Sequence, residues 1–314
     1  MKTLYDFLRL LRPRQWIKNF ALFAAITFSG QLFTPGPLNK VILGFFVFCG
    51  LSSATYILND YFDIEKDKLH PFKRFRPLAH GDISKNFALL FAIVLALVSL
   101  AAAQASINTT FMIVGIVYLI LQVSYSTFLK SITVIDILAI AAGYIIRVFA
   151  GEFASGFHIS VWLLLTTISA SLFIAIGKRR SELTLVSQNK DSNIAATRKT
   201  LSHYSERLLD VYATIFATST FISYSLFTFL ENPGGVKIDL NILMPDFLPT
   251  FLQRKWLMLT IIPVVYGLMR YMQDIYEKNE GESPEKVLLS DIPLLTSIII
   301  WAVLVIIIIY IIGA

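Results

Sequence analysis

Residues 41–58 read Val-Ile-Leu-Gly-Phe-Phe-Val-Phe-Cys-Gly-Leu-Ser-Ser-Ala-Thr-Tyr-Ile-Leu, and the chain continues Asn59-Asp60-Tyr61-Phe62-Asp63-Ile64-Glu65-Lys66-Asp67. An uncharged apolar run of this length spans a bilayer as a helix. If that helix carries on into the acidic segment, Asn59, Asp63 and Asp67 recur at i, i+4 and i+8 and project from one face. Oxygen ligands on consecutive turns, with no Cys or His between them, suit a hard cation such as Mg²⁺. That ion takes few protein oxygens and fills its other positions from water and substrate phosphates. Asn59, Asp63 and Asp67 are therefore the candidate metal ligands, with a diphosphate as the natural guest. Asp60, one position off the face, orients them. Charge at a membrane boundary is expensive unless solvated or paired, and it usually marks function. The competing reading is a hydrated helix end in which Lys66 and Lys68 neutralise Asp63 and Asp67.

Composition extends the argument to the whole chain. Of 314 residues, 56% are hydrophobic and 15% charged, with a mean hydropathy of +0.67, the balance of a polytopic membrane protein. Apolar runs long enough to span fall at 16–33, 41–58, 87–105, 111–128, 132–153, 161–176, 208–230, 256–272 and 292–312, so the expectation is an all-α bundle of about nine transmembrane helices. Arg9, Arg12 and Arg14 precede the first run and no small-residue cleavage site follows it, so it reads as a first span and not as a cleaved leader. Cys49, the single cysteine, reads as a small buried apolar residue.

Lys and Arg set the orientation. With the N-terminus on the cytoplasmic side, the opposite face holds only Lys40, Lys237, Arg254 and Lys255 of the 27 Lys and Arg, and Arg147 sits inside a span, away from its ends, an asymmetry that obeys the positive-inside rule. The expectation is one membrane domain over 1–314, with cytoplasmic loops at 59–86 and 178–207, in a bacterial inner membrane. Net charge +6 and pI near 9.3 follow from these loops meeting an anionic leaflet, and no nucleic-acid module is present.

Further motifs narrow the reading. Asn-Asp-x-x-Asp-x-x-x-Asp at the end of the second of nine helices resembles the first aspartate-rich motif of the UbiA superfamily of intramembrane prenyltransferases. Arg12-Pro13-Arg14-Gln15-Trp16-Ile17-Lys18-Asn19, the 59–77 block, Tyr125-Ser126, Gly177-Lys178-Arg179-Arg180-Ser181-Glu182 and Ser283-Pro284-Glu285-Lys286-Val287-Leu288-Leu289 together resemble the decaprenyl-phosphate phosphoribosyltransferase branch. The resemblance implies a UbiA-like fold with a cytoplasm-facing cavity, and Mg²⁺-dependent transfer of 5-phosphoribose from phosphoribosyl pyrophosphate to a polyprenyl phosphate in envelope lipid-linked sugar synthesis, as for arabinan. The partners it implies are those two substrates and the bilayer; it admits a homo-oligomer. Quinone-forming members carry a second Asp-x-x-x-Asp after the sixth helix. Here Lys178, Arg179, Arg180 and Glu182 stand there, which favours direct gripping of phosphate. An aromatic prenyltransferase of the same superfamily, using a prenyl diphosphate, is the first alternative. A membrane transporter whose charges line a path is the second.

On this reading Asp63, Asp67, Asn59 and Asp60 are the catalytic set. Lys73, Arg74 and Arg76 grip the ribose 5-phosphate and diphosphate, or are ordinary positive-inside residues. The resemblance makes Arg14 and Lys18 phosphate ligands, with snorkelling to head groups as the other role. Lys178 and Arg179, with Glu182 beside them, face the polyprenyl phosphate or complement a helix dipole. Tyr125 and Lys130 frame the short loop after the fourth helix, where Tyr125 bonds a phosphate or anchors the interface. Arg147 and Asp136 face a polar cavity, and a structural ion pair is the alternative for Arg147. A phosphate nucleophile needs no strong base, so His70 and His80 read as turn or phosphate contacts, and His158 and His203 as peripheral.

Overall fold

A computed structural model of the protein describes residues 2–69, 73–188, 199–231, 255–277 and 284–312; His70 and Pro71 lie outside them. Among the described residues every regular element is helical. Helix α1 (Lys2–Leu11) ends at Arg12, whose left-handed φ of 52° turns the chain into a 3-10 segment, Pro13–Phe23, that runs on as α2 (Ala24–Phe28). The long α3 (Pro35–Phe62) follows, then three short pieces: α4 (Ile64–Leu69), a 3-10 turn Lys73–Phe75 and α5 (Pro77–His80). Next come α6 (Lys85–Ser106), α7 (Thr109–Thr127), α8 (Ile135–Ser155) and α9 (Val161–Gln188). The chain closes with α10 (Glu206–Leu230), a 3-10 segment Trp256–Thr260 leading into α11 (Ile261–Tyr276), the short α12 (Pro284–Ser290), and α13 (Ile292–Ile307) with a π-helical end, Ile308–Ile312.

The boundaries follow capping chemistry. Ser84, Asn108, Ser205 and Asp291 accept from Phe87, Phe111, Leu208 and Leu294 backbone N–H groups at 3.3, 2.7, 3.2 and 2.9 Å, satisfying donors that the first helical turn leaves free. Gly156, at φ 79°, stops α8, a conformation that costs a glycine little.

Among the described residues, seven helices are long and apolar enough to cross a membrane. Two further stretches expected as spans are helical but interrupted. Residues 13–28 begin as 3-10 helix and 256–276 do so for one turn, so neither offers an unbroken α-helix of spanning length. The first carries Arg14, Gln15, Lys18 and Asn19, polar groups that a lipid-facing span would not tolerate. The segment expected as loop 178–207 is in part helix, since α9 runs on to Gln188; Arg179 and Glu182 pair at i, i+3 there.

Burial inverts the pattern of a water-soluble protein. The apolar stretch of α3 is 61% buried, whereas those of α6, α7 and α13 are 22% buried. Large apolar side chains such as Leu90, Leu97, Ile120, Ile292 and Ile299 point outward, as they do when the solvent is hydrocarbon. Helix α3 is central, packing on the 3-10 segment, α6, α7 and α8, while α9 packs on α8 and most extensively on α10. Among the described glycines the tightest is Gly151 of α8, where an added Cβ would run into the Leu22 carbonyl. The ends of α1, α3, α4 and α5 and the start of α6 gather around Leu10, Ile57, Ile64, Leu78 and Ala88, a small apolar knot that fixes the acidic segment.

Candidate functional site

At Asp63 helix α3 breaks, with φ −99° and ψ 7°, and α4 begins. The hydrogen bonds nevertheless pass through: Asp63 N–H donates to Asn59 O at 3.0 Å and Asp67 N–H to Asp63 O at 2.8 Å. Asn59, Asp63 and Asp67 thus stay on successive turns, as the spacing predicts. Each acid meets cations. Lys130, from the 3-10 turn Leu129–Ser131, donates to both Asp63 oxygens at 2.9 Å. Lys66 lies 3.6 Å from Asp63, while Lys68 turns to Glu65 at 3.0 Å and not to Asp67. Arg76 reaches Asp67 at 2.6 Å and Asp60 at 3.0 Å.

Asp60 is the node of this network. Only 2% exposed, it also takes Arg12 at 2.5 Å, so two guanidinium groups converge on one carboxylate. Burial pushes the Asp67 carboxyl above its ordinary range, against the pull of Arg76 and Lys73. Lys73 is half-buried, and Arg74 is exposed and lies 4.8 Å over the Phe75 ring. The Asn59 side chain is engaged by no other side chain among the described residues.

These residues fit Mg²⁺ by donor chemistry. Among the described residues no three His, Cys, Asp or Glu groups form a cage, and Mg²⁺ needs none, being held by one or two carboxylates with water and substrate phosphates. Two carboxylates and a carboxamide, ringed by four cations, can accept an ion together with a diphosphate.

The second charged motif is engaged by side chains of the protein itself. Arg179, 1% exposed, pairs with Asp136 at 2.6 Å and with Glu182, and donates to the Tyr125 hydroxyl at 2.7 Å. Tyr204 completes the knot by donating to Asp136 at 2.7 Å. Arg179, Glu182 and Tyr125 thereby lock α7, α8 and α9 together, leaving half-buried Lys178 beside them. Arg147 is not Asp136's partner: 3% exposed, it donates to Asn19, Gly143 O and Tyr118 at 2.7, 2.7 and 2.8 Å, neutral oxygens only. His80 and His158 lie 3.1 and 2.7 Å from Asp82 and Glu152, and His203 is exposed.

Arg14 is exposed, whereas Lys18 turns inward onto Glu285 at 3.1 Å. Glu285 was no candidate on sequence grounds; it arrives from α12, far along the chain, and Gln15 also donates to it. Burial alone would raise the Glu285 carboxyl, yet Lys18 and Lys178 hold it below its ordinary range.

A polytopic helical membrane protein with a ring of matched carboxylates and cations at one end is the class that fold and site define. The UbiA prenyltransferase family model matches residues 20–298, and the chain belongs to that family. A decaprenyl-phosphate phosphoribosyltransferase of Corynebacterium glutamicum is 32% identical, over 99% of this chain and 89% of the relative. One of Mycolicibacterium smegmatis is 35% identical over 90% of this chain and 86% of the relative. A UbiA homologue of Archaeoglobus fulgidus, solved with GPP and Mg²⁺, superposes at a TM-score of 0.68 with 22% identity and covers 96% of each chain. At that identity the likeness establishes the fold.

Proposed function

We propose that the protein transfers 5-phosphoribose from phosphoribosyl pyrophosphate to a polyprenyl phosphate. A phosphate oxygen of the lipid attacks the anomeric carbon, the C1–O bond to the diphosphate breaks, and pyrophosphate leaves with the bonding electrons, through a transition state of oxocarbenium character. The observation that carries this reading is the acidic end of α3: Asp63 on Lys130, and Asp60 and Asp67 sharing Arg76, in a chain about one third identical to named phosphoribosyltransferases.

Asn59, Asp63 and Asp67 would hold Mg²⁺, which supplies Lewis-acid neutralisation of the leaving diphosphate. Lys130, Lys73 and Arg76 are the cations placed to take up phosphate charge as it develops. Asp60 orients Arg12 and Arg76 from beneath. Lys178 and Arg14 are the cations left for the lipid phosphate, because Arg179 is committed to Asp136 and Glu182. The charged end faces the cytoplasm of an inner membrane, where phosphoribosyl pyrophosphate is dissolved, and the N-terminus lies on that side.

Purified protein given labelled phosphoribosyl pyrophosphate, polyprenyl phosphate and Mg²⁺ is expected to form lipid-linked ribose 5-phosphate with equimolar pyrophosphate. Asp63→Asn is expected to lower turnover by roughly a hundredfold or more with the fold retained. Prenylation of an aromatic acid in place of that product would sink the proposal.

A further inference from the structure

A second polar cluster is buried where the 3-10 segment, α3, α8, α9, α11 and α12 converge. Gln15 donates to Glu285, and its carbonyl oxygen accepts from Lys18 at 2.6 Å and from the Tyr56 hydroxyl at 3.0 Å. Lys18 closes the ring on Glu285 at 3.1 Å. Tyr144 and Tyr271 stand near enough to Lys18 and Glu285 for those charges to act on their hydroxyls. Tyr271 is 5% exposed, packs edge-on against Phe173 at 5.5 Å and lies across α9 at Gly177. Among the described residues its buried hydroxyl has no hydrogen-bond partner. Buried polar groups are satisfied almost without exception, so a hydroxyl left open inside a polar cluster points to a ligand that completes it.

The cluster adjoins the acidic end of α3. Arg12, paired with Asp60 at 2.5 Å, also lies 5.4 Å over the ring of Tyr56, whose hydroxyl binds Gln15. A molecule with its diphosphate at Asp63 and Asp67 would have its next group on the side of Tyr56 and Gln15. Lys18 and Glu285 cancel each other's charge, Lys178 acts on Glu285 from the edge, and the remaining groups are a carboxamide and three phenols. Such a set offers alternating donors and acceptors. It is too polar for an isoprenoid tail, and it matches vicinal hydroxyls.

We infer that this cluster is a sugar-recognition site that takes the ring hydroxyls of the donor's ribosyl group, with Glu285 accepting from a hydroxyl and Tyr271 completing its bonds there. It rests on the phosphoribosyl-transfer reading and adds what distinguishes ribose from a deoxy sugar. A site built to bond a hydroxyl rejects the analogue lacking it, by factors reaching about 10⁴.

The test compares kcat/KM for phosphoribosyl pyrophosphate and its 2-deoxyribosyl analogue in the wild type, Tyr271→Phe and Glu285→Gln. The wild type is expected to favour the ribosyl donor by about a hundredfold or more. Each variant should narrow that preference by about tenfold, chiefly by lowering the ribosyl value. Tyr271→Phe keeps the ring packing and so reports on the hydroxyl alone. Equal losses on both donors, or an unchanged preference in Tyr271→Phe, overturn the sugar site while leaving phosphoribosyl transfer standing. A wild type that transfers neither sugar but prenylates an aromatic acid overturns both readings.

Discussion

At the scale of single residues, the chain handles charge in two ways. At the acidic end of α3 the cations keep some exposure, Arg12 and Arg76 being 21% and 25% exposed. Lys130 and Asp63 are each less than one-fifth exposed, and removing the ammonium leaves Asp63 without its bidentate donor. Lys130→Ala should therefore lower kcat/KM for the phosphoribosyl donor by roughly tenfold to a hundredfold, and a value within twofold of wild type would show that Lys130 only shields the acid. Where water is excluded, pairing is rigid. Arg179 and Asp136 are 1% and 0% exposed, and breaking such a pair costs about 3–5 kcal/mol because the remaining charge stays buried. Arg179→Met and Asp136→Asn should each lower the unfolding midpoint in detergent sharply, and the double variant should lose less than the two losses summed, the rest reflecting Glu182 left without Arg179. Additive losses would argue that the two do not act as a pair. The acids at Asp60, Asp63 and Asp67 were legible because helical spacing brings them together locally. The partner of Arg179 was not, since Asp136 lies far away in sequence and only tertiary packing brings the two together.

At the scale of elements, composition located the helices but not their quality. Among the described residues seven spans are continuous, because long apolar runs satisfy every backbone group internally in lipid. The stretch from Pro13 to Phe28 is narrower and polar on one side, and it fits because α8 yields at Gly151 to the Leu22 carbonyl. Gly151→Ala should push the 3-10 segment off α8, lowering thermal stability by about 1–3 kcal/mol and disturbing the Arg147–Asn19 contact with it; unaltered melting would show that the backbone relaxes freely. Helix α12 docks through Glu285, whose carboxyl is held below its ordinary range mainly by Lys18 and Lys178 acting against burial. A depressed folded-state value means that the contribution is complete above the unfolded carboxyl's value of about 4.3 and is lost only as pH falls through the folded one. Thermal stability should thus be insensitive to this group from pH 8 to about 5 and decline below, and Glu285→Gln should show a smaller acid decline than the wild type. An equal decline in both would place the acid-sensitive contact elsewhere.

At the scale of the whole molecule, the two polar clusters and the ion-pair knot all lie toward the charged end of the bundle, while the outward faces of α6, α7 and α13 carry little but aliphatic side chains. Sequence patterning conveys that asymmetry because Lys and Arg distribution is a property of the topology as a whole. It conveys nothing of the convergence of Gln15, Tyr56, Tyr144, Tyr271 and Glu285, which depends on how five segments pack. The proposed orientation rests on the charges alone, since moving many cationic loops across a membrane is unfavourable. It has a direct check in exposed positions at opposite ends, Lys40 near the start of α3 and Lys286 in α12. In a Cys49→Ser background, Lys40→Cys should react in intact cells with a maleimide confined to the outer side of the membrane, and Lys286→Cys only after the membrane is opened. The reverse pattern would put the acidic end of α3 on the side where a dissolved phosphoribosyl donor is absent, and phosphoribosyl transfer would then require a different site.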